Sequence, residues 1–118
     1  MQFKNHKPIF LQIADRICDE ILGGRYPEGE RLPSVREYAT EVEVNFNTVA
    51  RSFEWLSQKD IIFNRRGLGY FVSEGAKERI RQSLRETFFK ETLQELIQQM
   101  EKLGIKVEEV EQAMNAQS

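Results

Sequence analysis

Apolar residues recur at helical spacing near the start of the chain. Isoleucine stands at every fourth position, and three further apolar residues widen the stripe, which consists of Ile9, Phe10, Ile13, Ala14, Ile17, Cys18 and Ile21. This period places the side chains on one face of a helix. Gly23 and Gly24 follow, and glycine readily adopts the left-handed conformation that ends helices. We therefore predict an amphipathic helix over residues 9–22.

Two further helices are predicted after a Pro- and Gly-containing loop, residues 25–33, with one short extended piece before Pro33. Ser34 and Glu37 have the spacing of a capping box, in which each residue satisfies a backbone amide of the other. Apolar residues continue at helical spacing to Val42. Asn45 is expected to cap a third helix that reaches about Gln58.

The third helix is predicted to have a polar face. Asn47 and Arg51, four residues apart, point away from the apolar side of the helix. Phe46 is expected nearer the buried edge, and Trp55 is expected to pack against a neighbouring element. The residues predicted to face the core are Val49, Ser52, Phe53 and Leu56.

A β-hairpin is predicted next. Residues 61–65 and 70–73 are rich in strand-forming types, and residues 66–69 read as a turn with arginines beside it. Three helices followed by a two-stranded hairpin, with a tight break between the second and third helices, is the element order of a winged helix-turn-helix. The predicted fold class is mostly α with a small β-hairpin, and residues 1–75 form the winged helix-turn-helix domain.

Residues 76–118 are predicted to form a short helical segment with an unpartnered apolar stripe. The spacing drifts near Phe88 and Phe89, which indicates a bend or a second helix start, and Gly104 ends the main helix before a final short one. Such a stripe needs a partner surface. The residues predicted to form a dimer interface are Leu84, Phe88, Leu93, Leu96, Ile97, Met100 and Leu103.

Composition excludes several kinds of protein. The 118 residues include one histidine, His6, and one cysteine, Cys18, too few for a zinc cluster or a thiol–imidazole pair. We expect no metal, cofactor or enzymatic activity. The longest apolar runs are far too short to span a membrane, and the start lacks a signal-peptide layout, so a cytoplasmic protein is expected. The 17 Lys and Arg against 19 Asp and Glu leave no global basic field, so binding to nucleic acid would need a local positive patch.

Four ordered blocks resemble a known family. They span residues 8–14, 24–37, 44–49 and 65–72, with the sequences PIFLQIA, GRYPEGERLPSVRE, VNFNTV and RRGLGYFV. Together they are similar to the DNA-binding domain of GntR-family bacterial transcription regulators. The short helical tail resembles the YtrA subfamily, whose members dimerise through a small C-terminal helical segment. Phe46, Ala50 and Tyr70 depart from residues common in the family.

The resemblance implies that Arg36 contacts DNA near the dyad, that the start of the third helix enters the major groove, and that the glycine-containing wing tip enters the minor groove. Asn and Arg are the side chains that pair bidentately with adenine and guanine, so the exposed Asn47 and Arg51 suit base recognition. The candidate DNA-binding residues are Ser34, Arg36, Asn45, Phe46, Asn47, Thr48, Arg51, Arg65, Arg66, Gly67, Leu68 and Gly69.

The leading hypothesis is therefore a homodimeric bacterial transcription regulator, a repressor, that binds a double-stranded, pseudo-palindromic operator with half-sites about one helical turn apart. Simpler interpretations of the arginines stay open. Arg36 could pair with Glu37 or Glu41, Arg51 could pair with Glu54 or Trp55, and Arg65 and Arg66 could be an ordinary hairpin end. A winged-helix module for protein interaction is the alternative function. A small-molecule effector of unknown identity is also left open.

Overall fold

The computed structural model describes residues 7–117. His6, expected to be a solvated side chain, lies outside the described residues. The chain divides into two compact units, with the division between Arg81 and Gln82. The elements, in chain order, are α1 Ile9–Leu22, α2 Val35–Val42, α3 Phe46–Gln58, β1 Ile62–Arg65, β2 Gly69–Val72, α4 Ala76–Thr87, a π-helical turn Phe88–Thr92, α5 Leu93–Leu103 and α6 Val107–Ala116.

Helix α1 has the predicted bounds. Pro8 precedes its first turn, and its carbonyl accepts hydrogen bonds from the backbone N–H groups of Leu11 and Gln12. Gly24 adopts a φ of +88°, while its N–H bonds to the carbonyl of Ile21. The end of the helix thus requires the left-handed conformation that glycine adopts at little cost.

The caps predicted for α2 and α3 are present. The Glu37 N–H donates to Ser34 Oγ at 3.0 Å, and the Ser34 N–H donates to Glu37 Oε1 at 2.9 Å. Asn45 Oδ1 accepts from the Asn47 N–H at 2.8 Å. Between the helices, Glu43 takes a φ of +56° and turns the chain sharply, which sets the tight angle of a helix-turn-helix.

The hairpin has the predicted topology with shifted strand limits. Strand β1 begins one residue later than expected and β2 one residue earlier, in the register Ile62 to Val72 through Arg65 to Gly69. The short extended piece expected before Pro33 is also present, because Arg31 forms an antiparallel bridge with Phe71. The loop before α2 therefore pairs with β2 at one position and extends the hairpin sideways.

A single hydrophobic core holds the first unit together. Helices α1, α2 and α3 each bury their apolar stripe in it, and one face of the hairpin covers the core through Ile62 and Val72. Ala76 and Ile80 at the start of α4 also join it. The buried face of α3 is the predicted one, formed by Val49, Ser52, Phe53 and Leu56.

The second unit is helical, and its apolar side chains are open to solvent. Of the residues described between 82 and 117, none is buried. The predicted drift near Phe88 coincides with the π-helical turn, whose i to i+5 spacing accommodates an interval of five residues between Phe88 and Leu93. Gly104 ends α5 with a φ of +68°, as expected. In the part of the chain that the structure describes, no helix is long and apolar enough to cross a membrane.

Candidate nucleic-acid interface

The exposed face of α3 carries the polar residues predicted for it. Asn45, Asn47 and Arg51 are exposed and Thr48 is half-buried. Asn45 uses its side-chain oxygen to cap the helix, so its amide NH2 group is the part that faces outward for another partner. Asn47 presents a complete side-chain amide. The first two turns of α3 can therefore offer hydrogen-bond donors and acceptors to a ligand at the helix surface.

Phe46 is not nearer the buried edge, and that expectation was wrong. The ring is 44% exposed, because Phe46 begins α3 at the tight turn and lies outside the core. Instead, the Arg36 guanidinium of α2 lies over the ring, with Cζ 5.3 Å from the centroid. This cation–π contact joins the starts of α2 and α3 into one surface.

Arg51 is held by an aromatic ring of α1. Its Cζ lies 3.9 Å from the centroid of Phe10, the shortest cation–π distance among the described residues. Neither an ion pair with Glu54 nor a ring contact with Trp55 is found for Arg51 in residues 7–117. Trp55 packs against the core as predicted. Stacking restricts the Arg51 side chain but leaves the edge of the guanidinium free to donate.

The tip of the hairpin is narrow, because two of its three residues are glycines without side chains. Gly67 and Gly69 have φ values of +79° and +102°, and Leu68 between them is 57% exposed. The Leu68 N–H donates to the carbonyl of Arg65, which closes the turn. Positive φ favours glycine here, and the missing side chains allow the backbone to approach another surface closely. Arg65 and Arg66 lie at the base of this tip.

Positive charge is distributed unevenly over the first unit. Arg25 is paired with Glu20 and Glu41, and Arg16 lies 3.5 Å from the Glu41 carboxylate, so these arginines are neutralised. The Arg25 contact also holds the pKa of Glu41 below its ordinary range. Among residues 7–117, no ion pair is found for the four predicted arginines, Arg36, Arg51, Arg65 and Arg66, or for Arg31 in the loop before α2. These arginines are the candidates for the local positive patch that binding to nucleic acid would need.

The residues predicted for a dimer interface share the exposed helical unit. Leu84, Phe88, Leu96, Ile97 and Leu103 are between 38% and 66% exposed. Leu93 and Met100 are half-buried within their own unit. A solvated stripe of this size is unusual for a helix that has no partner.

Metal or thiol chemistry has no support in the described structure. Residues 7–117 contain no group of three His, Cys, Asp or Glu side chains suited to a metal ion. Cys18 packs beside the core, and burial together with Asp15 and Asp19 raises the pKa of its thiol to about 12. A thiol with this pKa is protonated at neutral pH and is a poor nucleophile.

Sequence patterns missed the aromatic partners of the arginines. Phe10 was assigned only to the apolar stripe of α1, and Phe63 and Phe71 only to the strands, yet each lies under a guanidinium. The contact between Arg51 and Phe10 joins residues 41 positions apart in the chain, so neither helical nor strand periodicity reports it.

Comparison with known proteins agrees with this geometry. The family described as "Bacterial regulatory proteins, gntR family" matches residues 10–72. The transcriptional regulator YhcF of Bacillus subtilis is 38% identical over 92% of this chain and 88% of its own. The transcriptional repressor YtrA of the same organism is 35% identical over 91% of this chain and 82% of its own.

A solved structure of a GntR-family regulator from Bacteroides thetaiotaomicron has a TM-score of 0.78 and 48% identity, covering 92% of this chain and 94% of that one. The winged helix-turn-helix predicted from the element order is confirmed by such neighbours. The extent of the family match and the coverage of both relatives lead to one conclusion: the chain belongs to the gntR family of bacterial regulatory proteins.

Proposed function

We propose that this protein is a homodimeric, sequence-specific transcription regulator of the cytoplasm, acting as a repressor on a pseudo-palindromic operator in double-stranded DNA. The single observation that carries the proposal is the exposed polar face of α3, flanked by arginines that make no ion pair with any of residues 7–117. Asn47 and Arg51 offer base-recognition groups there, and Arg36 lies beside them on α2. The repressor function follows the name of the relative YtrA.

The candidate residues have distinct roles in this proposal. Asn47 and Arg51 read base edges in the major groove, with Asn45 and Thr48 beside them. Phe46 offers an exposed ring that suits contact with a thymine methyl group. Arg36 and Ser34 contact the phosphate backbone, and the wing tip enters the minor groove with the remaining residues Arg65, Arg66, Gly67, Leu68 and Gly69.

Dimerisation is assigned to the helical segment after residue 75. Its exposed apolar stripe would be covered by the same stripe of a second copy, as expected of an isologous interface. Two-fold symmetry then fixes two α3 helices about one turn of DNA apart. A small-molecule effector stays a prediction, and thermal stabilisation by a metabolite would support it.

The experiment is selection from a random pool of duplex DNA with the purified protein and with Arg51→Ala in parallel. We expect a two-fold symmetric motif, weakened by the substitution at one matching position in each half, by about 1–3 kcal/mol if Arg51 makes a bidentate contact. Lys102→Ala, which removes a positive charge from α5, is the matched control. An equal loss on selected and random DNA would make Arg51 a backbone contact. No enrichment by a folded dimer would contradict the proposed function.

A further inference from the structure

The outward face of the hairpin brings two arginines and two aromatic rings together. Phe63 and Phe71 are opposite each other in the register, and their rings stack with centroids 5.8 Å apart. The Arg65 Cζ lies 5.3 Å from the Phe71 centroid and 5.9 Å from that of Phe63. Residues directly opposite in antiparallel strands share a face of the sheet. Arg31, the bridge partner of Phe71, therefore lies on this face as well.

The Arg31 side chain extends toward the hairpin tip. A Cβ atom added to Gly69 would lie 3.2 Å from Arg31 Nε and 3.8 Å from Cζ. The guanidinium therefore occupies the space that a side chain at position 69 would fill. Gly69 pairs with Arg65 across the hairpin, so the two arginines flank the same stretch of backbone.

The charges of these two arginines are only partly offset by their surroundings. Within residues 7–117, neither Arg31 nor Arg65 makes an ion pair. The Glu37 carboxylate lies within the electrostatic reach of Arg31 and offsets part of its charge, but its hydrogen bonds are with Ser34 in the capping box and not with the guanidinium. Neighbouring like charges repel, and an anion bound between them removes this cost. The face therefore favours a partner with closely spaced negative charges.

We propose that the outer wing face, defined as Arg31, Phe63, Arg65 and Phe71, binds the sugar–phosphate backbone of double-stranded DNA, and that Arg31 donates hydrogen bonds to a phosphate there. The proposal rests on the proposed function and extends it to a residue outside the predicted interface. DNA is favoured over an acidic protein because the same hairpin carries the glycine-containing tip, which suits close approach to a groove. The rings beneath Arg65 hold its guanidinium without using its N–H groups.

The test compares Arg31→Ala and Arg31→Lys with the wild type by fluorescence anisotropy, using a labelled mixed-sequence duplex and the duplex obtained by selection. Binding is measured at several salt concentrations. Arg81→Ala is the matched control, because it removes the same charge from an α4 residue that lies 3.6 Å from Glu78. Circular dichroism melts of all variants check that the fold is retained.

We expect Arg31→Ala to weaken binding about tenfold on both duplexes. The slope of log affinity against log salt should become shallower by about 0.9, the value for one lost phosphate contact. Arg31→Lys should keep the wild-type slope because it keeps the charge. A salt slope and affinity equal to those of Arg81→Ala would overturn this inference and leave the proposed function intact. Loss on the selected duplex alone would make Arg31 a base reader and would also overturn it. Salt-independent or absent DNA binding by the wild type would contradict both proposals.

Discussion

The residues on the two sides of α3 have different roles. The exposed side presents Asn47 and Arg51, while the buried side contains Ser52, a polar residue that is fully buried. Its hydroxyl lies 2.6 Å from the carbonyl oxygen of Phe10 and 3.2 Å from that of Thr48. Phe10 is also the residue whose ring stacks on Arg51. A single residue of α1 therefore positions both the buried and the exposed side of α3.

Ser52→Ala should lower the free energy of unfolding by about 1 kcal/mol, because a buried hydrogen bond between α3 and α1 is lost. The thermal midpoint should fall by about 4–8 °C for a unit of this size. Scanning calorimetry or a circular dichroism melt measures it.

Ser57→Ala is the control for that change. Ser57 also donates to a backbone carbonyl, but within α3, to Phe53 at 3.0 Å. Losing this local bond should matter less, since alanine has the higher helix propensity. Equal destabilisation by both substitutions would show that the Ser52–Phe10 bond has no special role.

At the scale of elements, carboxylates fix where helices begin. Glu28 in the loop before α2 accepts the N–H groups of Gly75 and Lys77 at 2.9 and 3.0 Å, which ties this loop to the start of α4. These bonds hold the pKa of Glu28 below its ordinary value of 4.5. The backbone N–H of Ser34 lowers the pKa of Glu37 in the same way.

These shifts predict an acid-sensitive fold. A lowered pKa in the folded state means that the stabilisation is present above the ordinary value of 4.5 and is lost as the pH falls through it toward the folded-state value. The free energy of unfolding, measured with urea, should therefore fall as the pH drops below the ordinary carboxyl pKa. Glu28→Gln should make this fall shallower, because the titrating carboxyl is gone.

Glu30→Gln is the matched control for the acid response. The Glu30 carboxylate accepts no side-chain hydrogen bond from the described residues, so its removal should leave the pH profile close to that of the wild type. If both variants gave the same profile, the bonds from Gly75 and Lys77 would not be the origin of the acid sensitivity.

Local sequence signals predicted the elements better than the contacts between them. The bounds of α1 and the caps Ser34 and Asn45 follow from periodicity and from hydrogen bonds within a few residues, so they were predicted correctly. The exposure of Phe46 depends on what surrounds the turn, and that expectation failed. The place of Arg31 beside Gly69 depends on a bridge between residues 40 positions apart, which no local pattern contains.

At the scale of the whole molecule, the exposed stripe of the second unit should decide both oligomeric state and DNA affinity. Leu96→Lys places a charge in the proposed dimer interface, where Leu96 is 42% exposed in the single chain. We expect a monomer by sedimentation velocity at micromolar concentration. Operator affinity should fall about 100-fold, because the two DNA-binding domains are no longer linked and each half-site must be bound by a separate monomer.

Gln98→Lys provides the control with the same added charge on the polar side of α5, near Glu95 and Lys102. It should remain a dimer with wild-type affinity for the operator. A wild-type protein that sediments only as a monomer would contradict the dimer proposal, whatever the behaviour of the variants.

The π-helical turn has a consequence for how this segment can change in evolution. Leu84, Phe88, Leu93 and Ile97 stay in phase because the interval of five residues coincides with the π turn. Losing one residue from Phe88–Thr92 would leave an interval of four residues, which an ordinary α-helical turn keeps in phase with Leu84. Losing one residue elsewhere in α5 would rotate every side chain beyond it by about 100°. Lineages that keep this interface should therefore tolerate a one-residue difference in length at the π turn better than in the helix that follows it.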